Sequence, residues 1–146
     1  MEIANIENDD LVECSRLYVS IFKEPPWNEE WSIEDAFERL SDFLACPNTV
    51  SLKAVRDGEI IGFLAGEIQK WNGAHFYYLK EMCVSGKDQR KGVGSTLIRN
   101  LTISLKGRGV SRIYLITQRD SIPSSFYSSL GFTENSSIMV MRKSVE

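Results

Sequence analysis

No stretch of the 146-residue sequence approaches the roughly 18 consecutive apolar residues that a membrane-spanning helix needs, so no membrane partner is expected. The segment from Met1 to Cys14 lacks the basic start and apolar core of a secretory signal, and neither terminus carries a lipidation or retention motif; the expected location is cytoplasmic. Cysteine is scarce. Cys14, Cys46 and Cys83 are odd in number and widely spaced, form no CxxC pair, and have only His75 to assist them, which suits reduced thiols rather than a disulfide framework and leaves no metal site to expect. Low-complexity tracts, linkers and internal repeats are missing. So are the nucleotide signatures GxxxxGK[ST] and GxGxxG. The chain is acidic overall, with a net charge of -3, and its basic stretch has no interleaved aromatic residues for base stacking, so nucleic acid is not an expected partner.

What is present is the composition of a globular protein, 42% hydrophobic and 25% charged, at a length that buries one sizeable core. A single domain over residues 1-146 is expected. The small net charge hides an asymmetry: residues 1-79 carry a net -9, residues 80-119 a net +7 and the remainder -1. A basic middle suits a polyanionic ligand, and an acidic first half would draw in a cation.

Hydrophobic periodicity organises the chain. Residues 2-7 alternate weakly and predict a first strand. Asp9 or Asp10 then caps a helix with Leu11, Cys14, Leu17, Tyr18, Ile21 and Phe22 on its buried face. The double proline of "KEPPWNEEW" stops it. Ser32, with Asp35 in a capping-box position, starts a second helix that buries Ile33, Ala36, Phe37, Leu40 and Leu44 and ends before Pro47. "TVSLKAV" and "EIIGFLAGEI" flank Asp57-Gly58, a hairpin signal, and "FYYLKEMCV" is a third long strand. A helix with the stripe Leu97, Ile98, Leu101, Ile103 and Leu105 follows, closed by Gly107 and Gly109. "RIYLIT" reads as a fully buried strand, Pro123 to Leu130 as a short helix capped by Gly131, and "IMVMRK" as a last strand. This order implies a mixed sheet flanked by helices.

Between the third strand and its helix lies "KDQRKGVGSTLIRNL". A helix N-terminus presents unpaired N–H groups and partial positive charge, and therefore takes phosphate where the backbone can come close. Gly92 and Gly94 lack a Cβ, Ser95 adds a hydroxyl, and Lys87, Arg90, Lys91 and Arg99 add charge. Gln89-Arg90-Lys91-Gly92-Val93-Gly94, after "YLKEMCV", resembles the acetyl-CoA motif [QR]xxGx[GA] of the GCN5-related N-acetyltransferase (GNAT) superfamily. "PSSFYSSLGF", residues 123-132, is similar to that superfamily's final aromatic-Tyr helix ending in Gly-Phe, with Asp120 and Pro123 where members often carry Asn and Ala. The resemblance covers essentially the whole chain. It implies an α/β fold with a mixed α+β sheet of six to seven strands and about four helices, the central strands splayed around acetyl-CoA. It further implies an acetyl-CoA-dependent N-acetyltransferase in which Gln89, Arg90, Lys91, Gly92, Val93, Gly94 and Ser95 hold the phosphates and the backbone of Met82, Cys83 and Val84 pairs with the pantetheine arm, its N–H groups polarising the thioester carbonyl.

Acetyl transfer to an amine needs a group to remove a proton, because only the neutral amine attacks. Glu81 is the first candidate, a carboxylate inside an apolar strand that is costly there without a partner or a task; a salt bridge to Lys80, Lys87 or Arg112 is the structural alternative. Glu67 is the reserve. Tyr127 corresponds by resemblance to the tyrosine that protonates the departing thiolate. Cys83, mid-strand among large side chains, does not suit a covalent acyl intermediate, so direct transfer is expected. The segment "EPPWNEEWS" offers Glu24, Trp27, Glu29 and Glu30 to a cationic acceptor by charge and cation-π contact, with Trp31 read as a staple to the core. A similar "PW-acid-acid-W" segment occurs in some aminoglycoside 6'-N-acetyltransferases, and diamine acetyltransferases carry an acidic residue at the place of Glu81. Both comparisons imply a small cationic amine of aminoglycoside or polyamine type. Acetylation of a protein amine and a non-catalytic acetyl-CoA-binding module on the same fold are the alternatives. Homodimers are common in the superfamily, which makes a homodimer the oligomeric form to test.

Overall fold

The computed structural model describes residues 1–146. They form two compact units, Met1–Leu115 and Ile116–Glu146.

The first unit is built on one five-stranded sheet in the order β1-β2-β3-β4-β5. Strands β1 (Glu2–Asn5), β2 (Leu52–Arg56), β3 (Glu59–Trp71) and β4 (Ala74–Val84) pair antiparallel, and β5 (Arg112–Tyr114) joins β4 in parallel. Asp57 and Gly58 turn the β2-β3 hairpin with φ of 52° and 76°, the left-handed pair that a two-residue hairpin needs to match strand twist. Helices α1 (Leu11–Phe22) and α2 (Ile33–Ala45) pack on one face of the sheet, where Leu11, Cys14, Tyr18, Ile21, Phe22, Ala36 and Leu40 close over Ile60, Phe63 and Cys83. Helix α3 (Val93–Gly107) lies against β2, β3 and β4 and buries Val93, Leu97, Ile98, Leu101 and Leu105. Each such fully buried aliphatic or aromatic side chain contributes roughly 1.5–3 kcal/mol of transfer free energy.

Ser32 caps α2 as expected, its Oγ accepting from Asp35 N–H at 3.0 Å. Asp10 stands at the N-cap of α1, but its side chain makes no cap bond to that helix. A short 3-10 turn (Asn8–Asp10) precedes that helix, with Asp10 Oδ2 bonded back to Glu7 N–H at 2.7 Å and to Lys53 Nζ at 2.7 Å, because a carboxylate so close to a lysine gains more from the ion pair than from the helix end. Three expected core positions are exposed: Ile33, Phe37 and Ile103. The helices cover the sheet with a narrower stripe than the apolar pattern suggests.

Two strand expectations are corrected. "RIYLIT" is not a fully buried strand: only Arg112–Tyr114 pairs, at the sheet edge, with Arg112 and Tyr114 exposed. "IMVMRK" forms no strand, and Ile138, Met139, Val140 and Met141 are exposed, so the sheet has five strands rather than six to seven. Apolar, β-prone sequence makes a strand only where a ladder accepts its backbone.

In the second unit, α4 (Ile122–Ser129) starts from a capping box in which Ser121 Oγ accepts from Ser124 N–H and Ser124 Oγ accepts from Ser121 N–H. Arg119 pairs with Glu134. Tyr127 is half-buried between Phe126 and Phe132, ring centroids 5.2 and 5.4 Å away.

Candidate active site

The pairing of β3 with β4 runs Leu64↔Met82 and Ala65↔Glu81, then steps to Gly66↔Leu79. Lys80 is thus the extra residue of a β-bulge, and a bulge re-aims side chains that would otherwise alternate. Its consequence is that Lys80 and Glu81, neighbours in sequence, both meet the α1-α2 face. Lys80 Nζ lies 5.1 Å from the ring centroid of Phe43 on α2 and 3.5 Å from Sγ of Cys46, just past that helix, while Glu81 reaches α1 and α2 together. Gly66 makes room for this step: a Cβ there would stand 2.2 Å from Tyr78 O and 2.5 Å from the Tyr77 ring.

Glu81 is the centre of the cluster. Its Oε2 accepts from Tyr18 Oη at 3.1 Å and from Arg39 Nε and Nη2 at 3.3 Å each; Oε1 receives none of these three donors. The Glu81 side chain is 13% exposed and that of Arg39 41%, so the carboxylate is the enclosed partner and the guanidinium the accessible one. Burial pushes the Glu81 pKa above the ordinary carboxylate value; Arg39 and the Tyr18 hydrogen bond oppose that, and Glu29 adds to it. Burial, reinforced by the charge of Glu81, raises the Tyr18 hydroxyl as well, which keeps it a donor. A carboxylate poised upward in this way is a better proton acceptor near neutral pH. The ion partner of Glu81 is Arg39, not Lys80, Lys87 or Arg112: Lys80 pairs with Glu67 at 3.1 Å, Lys87 approaches Glu59 at 3.9 Å, and Arg112 lies over Phe76. Glu67 is half-buried. Burial works against its ionisation, but hydrogen bonds from Lys80 and Cys46 outweigh it and hold its pKa below the ordinary value.

Strand β4 runs directly into the glycine turn. Its parallel pairing with β5 ends at Tyr78↔Tyr114, so from Leu79 to Val84 the strand has β3 on one side and no strand on the other. Gln89 turns its side chain back and donates Nε2–H to Val84 O at 3.0 Å, fixing the turn to the strand end. Arg90 and Gly92 adopt φ of 62° and 83°, and no atom lies within 4 Å of where a Gly92 Cβ would be. Gly92 is the N-cap of α3 with no side-chain cap; the first intrahelical bond runs from Thr96 N–H to Gly92 O at 3.0 Å. The N–H groups of Val93, Gly94 and Ser95 therefore precede the helical ladder and stand where an anion can take them. Arg90 and Lys91 are exposed beside them. Below the turn, Asp88 is buried and accepts from Arg56 Nη1 at 2.8 Å, tying the turn to the end of β2.

Other predicted residues are placed as follows. Cys83 is buried in the α1-α2 core, and burial raises its thiol well above its ordinary pKa, which disfavours the nucleophilic thiolate. Trp27 packs edge-on to Phe22 at 5.0 Å. Glu24 and Glu30 are exposed in the α1-α2 connection. Glu29 accepts from Trp31 Nε1 at 2.8 Å, and Trp31 stands edge-on to Tyr18 at 5.1 Å and 5.9 Å from Arg39 Cζ. Trp31 is thus both staple and neighbour of the Glu81 cluster. Tyr127 belongs to the second unit. Sequence reasoning did not single out Tyr18, Arg39 and Phe43. Tyr18 reads as part of a core stripe, and Arg39 lies 42 residues from Glu81, a separation with no motif to mark it.

The sequence profile of the Acetyltransferase (GNAT) family matches residues 11–132, and the chain belongs to that family and is an acetyltransferase. No curated protein matches the sequence. Among solved structures, a possible acetyltransferase from Clostridium difficile 630 is 15% identical, covers 99% of this chain and 98% of its own, and superposes with a TM-score of 0.84. An aminoglycoside acetyltransferase, meta-AAC0020, from an uncultured soil metagenomic sample and in complex with sisomicin is 20% identical over 99% of this chain and 96% of its own, with a TM-score of 0.79. The aminoglycoside N-acetyltransferase AAC(6')-Iy in complex with CoA is 20% identical over 97% and 93%, with a TM-score of 0.77. At these identities the likeness is one of fold.

Proposed function

We propose that this protein moves an acetyl group from acetyl-CoA to the primary amine of a small cationic acceptor, of aminoglycoside or polyamine type, by direct attack. The observation that carries the reading is the enclosed carboxylate of Glu81, held between α1 and α2 on a strand that has no partner strand on its other side from Leu79 onward and whose end enters the glycine turn. The neighbouring folds that are aminoglycoside acetyltransferases support the acceptor class.

The turn fits a phosphate-bearing ligand, since space is open above Gly92 and three N–H groups lack helical partners. Val93, Gly94 and Ser95 would hold the phosphates through backbone N–H, with Gln89 bracing the turn and Arg90 and Lys91 supplying charge; Met82, Cys83 and Val84 would offer backbone groups to the amide-bearing arm. Acetyl-CoA, when bound, supplies the acetyl group as an activated thioester. Glu81 takes a proton from the bound ammonium, leaving the amine neutral for attack. Tyr18 and Arg39 keep Glu81 ionised between turnovers by stabilising its charged form. Glu24, Glu29 and Glu30 attract the cationic acceptor to the α1-α2 connection. Tyr127 is the proton donor for the leaving group.

Thiol release from acetyl-CoA in the presence of polyamines, aminoglycosides and peptides, with mass spectrometry of the products, tests the reading. Release that depends on a small cationic amine, with that amine acetylated, is the expected result. Acetyl-CoA binding without release for any amine would make the protein a binding module, and exclusive use of peptides would make its acceptor a protein.

A further inference from the structure

The group that now fills the space beside Glu81 is a cation of the protein's own. Arg39 reaches across from α2 to Glu81 Oε2 with two hydrogen bonds, both 3.3 Å, long for charge-assisted bonds, which are usually about 2.7–2.9 Å. Its Cζ stands 4.7 Å from the Phe43 ring centroid and 5.9 Å from that of Trp31, and Trp31 is held edge-on to Tyr18. A largely enclosed carboxylate whose bound cation lies beside two aromatic rings is an arrangement that recognises cations. We propose that Glu81, Trp31, Phe43 and Tyr18 form the ammonium subsite for the acceptor, and that Arg39 is an internal occupant which the acceptor's ammonium must displace.

The inference rests on the reading of the site as an amine acetyltransferase and names how its acceptor is recognised. Two features support displacement over simple addition. First, an ammonium bound to Glu81 while the guanidinium remained would place two like charges on one carboxylate in a largely enclosed site, where charge repulsion is weakly screened. Second, Arg39 has somewhere to go. Its side chain is the exposed member of the pair, and it lines an open depression with Asp35, Glu38, Asp42 and Phe43. Asp35 and Asp42 lie four residues before and three after Arg39 on the same helix, the spacings at which helical side chains meet. Exchange of one cation for another leaves Glu81 paired at both end points, which matters because an enclosed charge left without its partner is strongly destabilising. An uncharged acceptor cannot make the exchange, so the occupant acts as a filter for cationic amines.

The test uses n-butylammonium as probe and n-butanol as uncharged control at pH 8, without acetyl-CoA, so that failure of binding is separable from failure of acetyl transfer. Nuclear magnetic resonance follows the Trp31 indole N–H and the Arg39 Nε–H. In the wild type the probe should shift both signals together, the Arg39 signal moving to that of a solvated guanidinium; the control should shift neither. Removal of the occupant in Arg39→Met should tighten probe binding about tenfold, as expected if the vacated site is about a tenth populated in the wild type, and Glu81→Gln in the same background should abolish the gain. Arg39→Lys should stay near the wild type. Probe binding at Trp31 with an unmoved Arg39 signal overturns displacement in the wild type itself, whether or not Arg39→Met folds. Unchanged or weaker binding in folded Arg39→Met, or binding of n-butanol as strong as that of the probe, overturns it as well.

Discussion

Three donors converge on one oxygen of Glu81 and leave the other outside that network, and this division decides what the residue can do. A carboxylate held wholly by ion pairs is a poor base; one merely buried would be protonated. Glu81 lies between, raised by burial and partly restored by Arg39 and Tyr18. That a charge on an apolar strand needs a partner or a task was legible in "YLKEMCV", but which partner was not, because Arg39 approaches from a separate helix and no local spacing encodes the contact. Tyr127 is the converse case, picked out by its motif and assigned as a donor by resemblance. Tyr127→Phe keeps the ring between Phe126 and Phe132 and removes only the hydroxyl, so kcat should fall by about 10²- to 10⁴-fold where chemistry limits the rate. Full activity in that variant, with a viscosity control showing chemistry to be limiting, would return Tyr127 to packing.

At the scale of elements, the bulge in β4 and the turn before α3 do most of the positioning. The Asp57-Gly58 hairpin and the Ser32 cap were readable because each depends on a few adjacent residues. The bulge at Lys80 was not, since it is a property of two paired strands and only the glycine opposite it, Gly66, hints at it. Gly66→Ala would drive a methyl group into Tyr78 O; overpacking typically costs about 1–3 kcal/mol, so calorimetric unfolding should show a clear loss of stability and, in the fraction that folds, reduced turnover as Glu81 shifts. A variant as stable as the wild type would mean that the strands separate freely at this step. Gly92→Ala meets no neighbour but must hold a φ of 83°, a left-handed conformation that disfavours a side chain by roughly 1–2 kcal/mol. The protein should fold with that modest loss and bind acetyl-CoA more weakly in isothermal titration. Unchanged affinity would remove the turn from the phosphate site. The unformed strand at "IMVMRK" marks the limit of the same reasoning: alternation and β-propensity describe a segment's capacity to pair, and pairing belongs to two segments.

Across the whole molecule, charge is partitioned, with the acidic excess in residues 1-79 and the basic excess in residues 80-119. The partition was visible in the sequence and suits an acidic side for an amine and a basic turn for phosphates. Exposed charges such as Arg90 and Lys91 act over a screening length of about 10 Å at 0.1 M salt and 3 Å at 1 M. The KM for acetyl-CoA should therefore rise severalfold with ionic strength at constant pH, and a KM indifferent to salt would assign the site to backbone N–H groups alone. The central claim, that Glu81 removes the acceptor's proton, is tested most directly by the pH dependence of kcat/KM for an amine acceptor in the wild type and in Glu81→Gln at saturating acetyl-CoA. Burial raises the pKa of Glu81, so its basic form is present above that pKa and lost as pH falls through it, above the ordinary glutamate value of about 4.3. The account predicts an acidic limb in the wild type, and in the variant a rate lower by about 10²- to 10⁴-fold with that limb gone. The same rate and the same limb in Glu81→Gln would contradict it.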